Sequence, residues 1–284
     1  MSSVAVAQPG ARWSPGRLSP RTAIGVGAVL VVLALVWAST RGAYAIAPAQ
    51  LWQVLLQAVG AAPSAEQAPE YLVFINIRLP RLLMGVAAGA GLGLAGALMQ
   101  GLFRNPLADP GLVGVAAGAA MGAAVAIVGG AWFGGMPDAF APYLLSFCAF
   151  VGGLGVTALV YRLGRRDGQT NVATMLLAGV AMTALGGAAV GLFSYLADDA
   201  TLRTLTFWNL GSLNGASYER LWPLLLVVTG VAVWLPRRAK ALNALLLGES
   251  EARHLGVDVE RLKRELVFCT ALGVGAAVAA AGLI

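Results

Sequence analysis

Long uncharged apolar runs, separated by short charged segments, dominate the hydropathy pattern of this chain. A helix rises about 1.5 Å per residue, so about 20 apolar residues cross the roughly 30 Å hydrocarbon core of a bilayer. The runs are continuous, whereas a transmembrane β-barrel needs alternating segments of about ten residues. The pattern therefore predicts an all-α, polytopic bundle with seven transmembrane helices, at residues 22–40, 82–103, 112–132, 141–161, 171–196, 221–236 and 266–284.

Three segments differ from this pattern. Residues 1–21 are rich in Pro, Ser and Arg, which predicts a disordered tail before a first helix that is too long for a signal peptide. The stretch LWQVLLQAV, residues 51–59, is amphipathic and too short to span, which favours a position along the membrane surface. The last run is still apolar at Ile284, so we expect the sequence to be a truncated part of a longer protein.

Charge supports the membrane interpretation and sets an orientation. Charged residues make up 11% of the chain, against roughly 25% in soluble domains. The net charge of +6 is better explained by basic cytoplasmic loops than by nucleic-acid binding. A cytoplasmic N-terminus leaves five of the 19 Lys and Arg residues outside and the other fourteen inside; the five are Arg41, Arg78, Arg81, Arg203 and Arg220.

Small residues recur at every fourth position in the second and third predicted helices. Residues four apart share a helix face, and small side chains let two helices approach closely within lipid. We therefore expect these two helices to form a tight antiparallel pair. The two stripes are Gly85, Gly89, Gly93, Ala97 and Gly101, and Gly114, Gly118, Gly122, Ala126 and Gly130.

The stretch FRNPLADPGLVG, residues 103–114, separates these two helices. Both X–Pro pairs favour turns and stop a helix before the proline. The predicted orientation places this rigid turn in the cytoplasm. Its constrained and polar residues are Arg104, Asn105, Pro106, Asp109 and Pro110.

Side chains that could carry catalysis are sparse. Cys148 and Cys269 fall inside apolar runs and fit packing, with no disulfide or metal role. His254, the single histidine, lies in a charged loop. The predicted spans contain no Asp, Glu, Lys or Arg, which disfavours a secondary transporter driven by an ion gradient. A membrane-embedded enzyme is disfavoured too, because no cluster of reactive groups is apparent.

Three stretches in order resemble the membrane subunit of bacterial ABC importers for haem, vitamin B12 and ferric siderophores. They are IRLPRLLMGVAAGAGLGLAGALMQGLFRNPLADPGLVGVAAGAAMGA (77–123), LLAGVAMTAL (176–185) and LNALLLGESEARHLGVDVERLKR (242–264). The resemblance implies ten transmembrane helices per subunit, of which about seven are present. It makes residues 22–284 a permease domain. The stretch GLFSYLADDATLRTLTFWNLGSLNGA, residues 191–216, looks most like haem permeases.

The resemblance also implies partners. It implies a homodimer in the bacterial inner membrane, surrounded by lipid, with the substrate path along the dimer axis. Two ABC ATPase subunits would bind the cytoplasmic face, and a substrate-binding protein the periplasmic face. The chain has no G-x-x-x-x-G-K-[ST] phosphate loop, so ATP hydrolysis is expected in the partner and no permanently bound cofactor is expected here. Vitamin B12 and ferric siderophores remain alternative substrates.

Site residues follow from the same resemblance, with no catalytic residue and no metal ligand. The charged stretch 237–265 would couple to the ATPase as a solvated element with breaks at two glycines. Arg78 and Arg81 would meet acidic residues of the binding protein. Asn171, Val172, Ala173 and Thr174 match the cytoplasmic gate, although vitamin B12 importers carry a small hydroxyl pair there. The coupling residues are Leu247, Gly248, Glu249, Ser250, Glu251, Ala252, Arg253, His254, Leu255 and Gly256.

Overall fold

The computed structural model describes residues 19–58, 60, 68–132 and 141–283, and these residues are almost entirely helical. The all-α prediction is confirmed, with one short hairpin added. Seven described helices are long and apolar enough to cross a membrane. The helices are α1 (Pro20–Thr40), α2 (Pro48–Ala58), α3 (Pro69–Leu72), α4 (Leu79–Phe103), α5 (Val115–Trp132), α6 (Ala141–Leu163), α7 (Val172–Leu196), α8 (Asp199–Asn209), α9 (Tyr218–Leu247), α10 (Glu249–His254) and α11 (Val259–Ala281). A π-helical segment covers Val73–Arg78, a 3₁₀ helix covers Pro110–Val113, and strands β1 (Arg165–Arg166) and β2 (Gln169–Thr170) pair antiparallel.

The chain divides into two compact units, Met1–Phe74 and Ile75–Ile284. In the first unit, the Ser19 hydroxyl caps α1 by accepting a hydrogen bond from the Thr22 N–H at 3.2 Å. Residues 1–18 of the predicted tail lie outside the described residues, and Pro20 and Arg21 already belong to α1. The sequence therefore becomes helical before the first predicted span begins.

The amphipathic segment of the first unit forms α2, as its pattern indicates. Leu51 and Val54 are buried on one face, while the Trp52 side chain is 63% exposed. The Tyr44 hydroxyl donates to Glu70 Oε1 at 3.0 Å, and this hydrogen bond raises the pKa of Tyr44 above its ordinary value. A position of α2 along the membrane surface stays a prediction.

The second unit is a helical bundle around a core of small and aliphatic side chains. α5 lies along α6, α4 packs on α11 and α9, and α7 packs on α5. Fully buried core residues include Leu98, Met99, Val113, Val115 and Leu266. Two proline positions, Pro223 and Pro236, lie inside α9 without ending it.

Glycines set the close approach of α5 to α6. A methyl group added at Gly118 would overlap the carbonyl oxygen of Gly152, and one added at Gly122 would overlap the carbonyl oxygen of Cys148. The obstacle in each case is backbone, which cannot rotate away. These positions therefore require glycine, because any Cβ would force the two helices apart.

The predicted tight pairing of the two small-residue stripes is wrong. The α5 stripe faces α6, whereas a Cβ added at Gly89 or Gly93 of the α4 stripe would meet none of the described residues within 4 Å. α4 instead approaches α11 at Gly91, where an added Cβ would lie 3.4 Å from the carbonyl oxygen of Gly273. A fourfold spacing indicates that a helix can approach a neighbour closely, but it does not identify that neighbour.

The charged stretch 237–265 is not one separate element. α9 continues through it to Leu247, and α11 already begins at Val259, so only residues 248–258 lie outside these two long helices. Gly248 ends α9 with a φ of 132°. Both predicted breaks are found, because Gly248 ends α9 and Gly256 lies between α10 and α11, with one short helix between them. Charged residues do not by themselves stop a helix.

We predict that Gly122→Ala lowers the free energy of unfolding by about 1–3 kcal/mol, because the new methyl group overpacks the α5–α6 crossing. Gly129→Ala is the matched control on the same helix, since its added Cβ would meet none of the described residues within 4 Å. The control should equal the unsubstituted chain or gain up to about 1 kcal/mol from helix propensity. Unfolding followed by circular dichroism in mixed micelles measures the stability of each variant. Equal stability of the two variants would contradict the close approach of α5 to α6 at Gly122.

Candidate functional site

The predicted coupling residues form a compact corner between two long helices. Leu247 is the last residue of α9, α10 carries Glu249 in its first turn and Arg253 in its last, and Gly256 follows with a φ of 81°. This charge order suits the helix dipole, which favours acids at the N-terminus and bases at the C-terminus. Ala252 is fully buried and anchors the corner.

The outer side of this corner is partly apolar. Leu247 is 71% exposed and Leu255 is 64% exposed, while His254 and Ser250 are also exposed. The corner therefore presents two leucines on a charged surface. Such a mixed surface fits the rim and centre of a protein–protein contact.

Beneath the corner lies a buried lysine that the sequence pattern does not identify. The Lys263 side chain is 1% exposed. Its Nζ donates to Glu249 Oε2 at 2.7 Å, to the Thr170 carbonyl oxygen at 2.9 Å and to Glu260 Oε1 at 3.3 Å. An ammonium group has three protons, and all three have acceptors here.

Two side chains of α11 bind Thr170. Glu260 Oε2 accepts from the Thr170 backbone N–H at 2.8 Å and from the Thr170 hydroxyl at 2.7 Å. Lys263 Nζ donates to the Thr170 carbonyl oxygen. Arg253 Nη2 adds an ion pair to Glu260 at 3.7 Å. The polar atoms of Thr170 are thus all bound to α11, which fixes this residue in place.

Thr170 stands directly before the predicted gate. It ends the hairpin of β1 and β2, whose turn contains Asp167 and Gly168 at φ values of 51° and 78°. Asn171 then caps α7, because its Oδ1 accepts from the Thr174 N–H at 3.0 Å. The Asn171 N–H donates to the Gly164 carbonyl oxygen at 2.8 Å. The gate residues are therefore positioned by a hairpin and a helix cap.

A cavity of about 670 Å³ lies between the predicted gate and the predicted coupling residues. It is lined by residues 166–167 and 169–173 and by Glu249. Asn171, Ala173 and Thr174 are exposed, and Val172 is half-buried. The structure thus brings three gate residues and the coupling residue Glu249 to one cavity, and Lys263 bonds to two of its lining residues, Glu249 and Thr170.

The proline turn lies at the same end of the bundle, where α4 ends and α5 begins. Arg104 takes a left-handed φ of 50° and terminates α4. Asn105 Oδ1 accepts from the Leu107 N–H at 2.9 Å, and Asp109 Oδ1 accepts from the Gly111 N–H at 2.7 Å. Pro106 lies within the first of these turns, between Asn105 and Leu107, and Pro110 begins the 3₁₀ helix.

This turn packs against α7. Gly179 of α7 meets the carbonyl oxygen of Leu112 so closely that a side chain there would not fit. Leu107, in the middle of the turn, is 87% exposed. The turn therefore supports the first half of α7 and leaves one large apolar side chain uncovered.

The two arginines predicted to meet a binding protein lie at the opposite end of α4 from the turn. Arg78 is only 9% exposed. Arg81 is half-buried, and its Nη2 donates to the Asn214 carbonyl oxygen at 3.3 Å. The nearby Tyr218 hydroxyl donates to the Ile75 carbonyl oxygen at 2.7 Å. In the isolated chain, Arg81 is the more accessible of the two arginines.

Two features of this site escape the hydropathy pattern. Glu260 and Lys263 fit a solvated stretch by charge alone, yet Lys263 is buried. Their three-residue spacing beside Val259 and Leu262 is the available signal, because it places an ion pair next to an apolar face. The Asp167–Gly168 dipeptide is likewise a strong hairpin signal. Within the described residues, no three His, Cys, Asp or Glu side chains lie close enough to hold a metal ion.

Known proteins similar to this chain agree on one family. The model of the FecCD transport family matches residues 29–284. The hemin transport system permease protein of Yersinia pestis is 37% identical over 95% of this chain and 76% of its own length. The vitamin B12 import system permease protein of Photorhabdus laumondii is 39% identical over 74% of this chain and 60% of its own length.

A solved structure gives the same answer at the level of the fold. An inward-facing metal-chelate type ABC transporter matches with a TM-score of 0.75 and 30% identity, over 94% of this chain and 77% of its own. The chain therefore belongs to the FecCD transport family, whose members are the multi-pass permease subunits of ABC transporters.

Proposed function

We propose that this chain is the permease subunit of an ATP-driven importer that moves haem from periplasm to cytoplasm. The observation that supports haem as the substrate is an alignment length. The hemin permease of Yersinia pestis aligns over 95% of the chain, against 74% for the vitamin B12 permease of Photorhabdus laumondii. Vitamin B12 is the second candidate, because that permease is as similar in identity. Ferric siderophores are the third.

The exposed face of α7 supports a pathway between two copies of the chain. Only 11% of the residues in the most apolar 18-residue stretch of α7 are buried, against 61% in the corresponding stretch of α11. Leu177, Leu185 and Tyr195 are strongly exposed along this helix. A homodimer would cover part of this face and leave the rest as a path between the copies. An apolar path of this kind suits the flat apolar faces of a porphyrin.

The chain offers haem no histidine along this helix. The single histidine of the sequence is His254, which lies on α10 at the far corner of the site. Haem would therefore pass along α7 without stable imidazole ligation. A transient apolar passage favours release, which an importer needs more than tight binding.

Energy would come from two ABC ATPase subunits bound at the corner of α10, so ATP is used by the partner. The exposed leucines and the charged rim of this corner support such a contact. The predicted cytoplasmic N-terminus would place the gate at Asn171–Thr174 and the proline turn on the cytoplasmic side. At the periplasmic side, Arg81 would meet acidic groups of a substrate-binding protein, which mainly guides encounter and orientation.

A transporter driven by an ion gradient is the remoter alternative. It would need an acidic side chain free to bind a proton or cation within the membrane. Glu260 and Glu265, the acidic residues of α11, instead pair with Lys263 and with Arg238 and Arg261. These pairs favour an ATP-driven mechanism over an ion-driven one.

Uptake into liposomes tests the proposed function. The full chain is reconstituted with its ATPase, and the binding protein is supplied with haem, vitamin B12 or a ferric siderophore. We expect ATP-dependent uptake of haem, with little uptake of the other two. Uptake of another ligand instead would keep the importer and reject haem. A folded complex that hydrolyses ATP and takes up none of them would reject the importer.

Truncating exposed leucines tests the ATPase contact. We expect Leu255→Ala together with Leu247→Ala to weaken co-purification of the ATPase by roughly tenfold or more, because central apolar contacts dominate interface affinity. Leu163→Ala is the matched control, since Leu163 is 54% exposed at the end of α6 and lies outside the corner. Equal binding by both variants would place the ATPase contact elsewhere.

A further inference from the structure

We propose that Lys263 is a positioning residue that makes α10 and the start of α7 move as one body during transport. This inference rests on the proposed function, because it assigns the route by which a movement of the ATPase is transmitted to the predicted gate. The juxtaposition that supports it is one buried ammonium group that donates to two residues lining the cavity, Glu249 and Thr170.

The first step is the bond to α10. Glu249 is the first residue of α10, and its Oε2 lies 2.7 Å from Lys263 Nζ. Arg253, one turn later, pairs with Glu249 at 3.9 Å and with Glu260 at 3.7 Å. A push on α10 would therefore displace the carboxylates that surround Lys263, and the ammonium would follow them.

The second step is the bond to α7. Lys263 and Glu260 together hold the N–H, the hydroxyl and the carbonyl oxygen of Thr170. The next residue, Asn171, is the N-cap of α7. Displacing Thr170 therefore displaces the helix cap, and the exposed residues of the first turn move with it.

The two residues that Lys263 joins, Glu249 and Thr170, both line the cavity. Residues 171–173 of the predicted gate line the same cavity. The hydrogen bonds of Lys263 connect Glu249 to Thr170, the residue before Asn171, from within the protein. Charge-assisted bonds of this kind are short and directional, which suits the transmission of a displacement.

A purely structural role is the competing explanation, because any buried lysine needs acceptors. The two explanations differ in what a substitution changes. A structural role affects folding and lowers ATP hydrolysis and uptake together. A positioning role leaves hydrolysis in place and lowers the uptake obtained per ATP.

The variants separate the two links. Lys263→Met removes the ammonium but keeps a long apolar side chain. Glu249→Ala removes the bond between Lys263 and α10, together with the weaker Glu249–Arg253 pair, while Lys263 retains Thr170 and Glu260 and Arg253 retains Glu260. This variant tests the proposal even if Lys263→Met fails to assemble. Arg238→Met is the matched control, because it breaks an ion pair of 2.9 Å between α9 and α11 that involves neither α10 nor α7.

The experiment measures a distance and a ratio in the assembled complex of the full chain with its ATPase. Spin labels at Ser250→Cys and Arg166→Cys report the distance between α10 and the hairpin, with Cys148 and Cys269 replaced and with excess unlabelled chain. Because Ser250 is one of the predicted coupling residues, hydrolysis and uptake are measured on chains that lack the two label cysteines. We expect a single narrow distribution of distances between the labels in the parent chain, which carries no further substitution, and in Arg238→Met. We expect a broad distribution in Lys263→Met and Glu249→Ala, with uptake per ATP lowered roughly tenfold.

A narrow distance in Lys263→Met and Glu249→Ala, or equal losses of uptake and hydrolysis in them, would overturn the proposal. A broad distance in the Arg238→Met control would overturn it as well. If the parent complex hydrolyses ATP but takes up no ligand, the proposed function fails. The distance measurement still decides the link in that case, because it needs no transported substrate.

Discussion

An ammonium group withdrawn from water sets the strongest constraint on one end of this bundle. The desolvation of a charged group costs several kcal/mol unless opposite charges and hydrogen bonds replace the water. For Lys263 the replacements come from three different elements, namely α10, α11 and the residue before α7. These elements must therefore be assembled together, so a helix that would contact an ATPase becomes part of the same structure as a helix that would line a pathway.

The rest of the second unit provides the frame in which such a link could act. The backbones of α5 and α6 touch at glycines, so these two helices form a fixed reference, and α7 meets the proline turn at Gly179. By contrast, the outward face of α7 is apolar and largely uncovered. A close-packed pair of helices beside one exposed helix would suit a helix that shifts as a body while it borders the proposed path.

The sequence predicts the long helices well, because an uncharged run of about 20 residues has few alternatives to a membrane helix. It does not predict which helices pair, since the spacing of glycines shows only that a close approach is possible. It also misplaces the ends of α9 and α11, because Arg237 and Arg238 sit on helical turns as easily as in a loop. The spacing of Glu260 and Lys263 indicates an ion pair beside an apolar face, but it does not identify the other acceptors of Lys263, since Thr170 and Glu249 lie 93 and 14 residues away along the chain.

The most direct test of the central claim is a pair of structures of the full complex, one without nucleotide and one with a non-hydrolysable ATP analogue. We predict that Lys263 keeps its bonds to Glu249 and Thr170 in both states, while α10 and the first turn of α7 shift together relative to α5 and α6. Loss of either bond in the nucleotide-bound state, with α7 moving separately from α10, would contradict the claim.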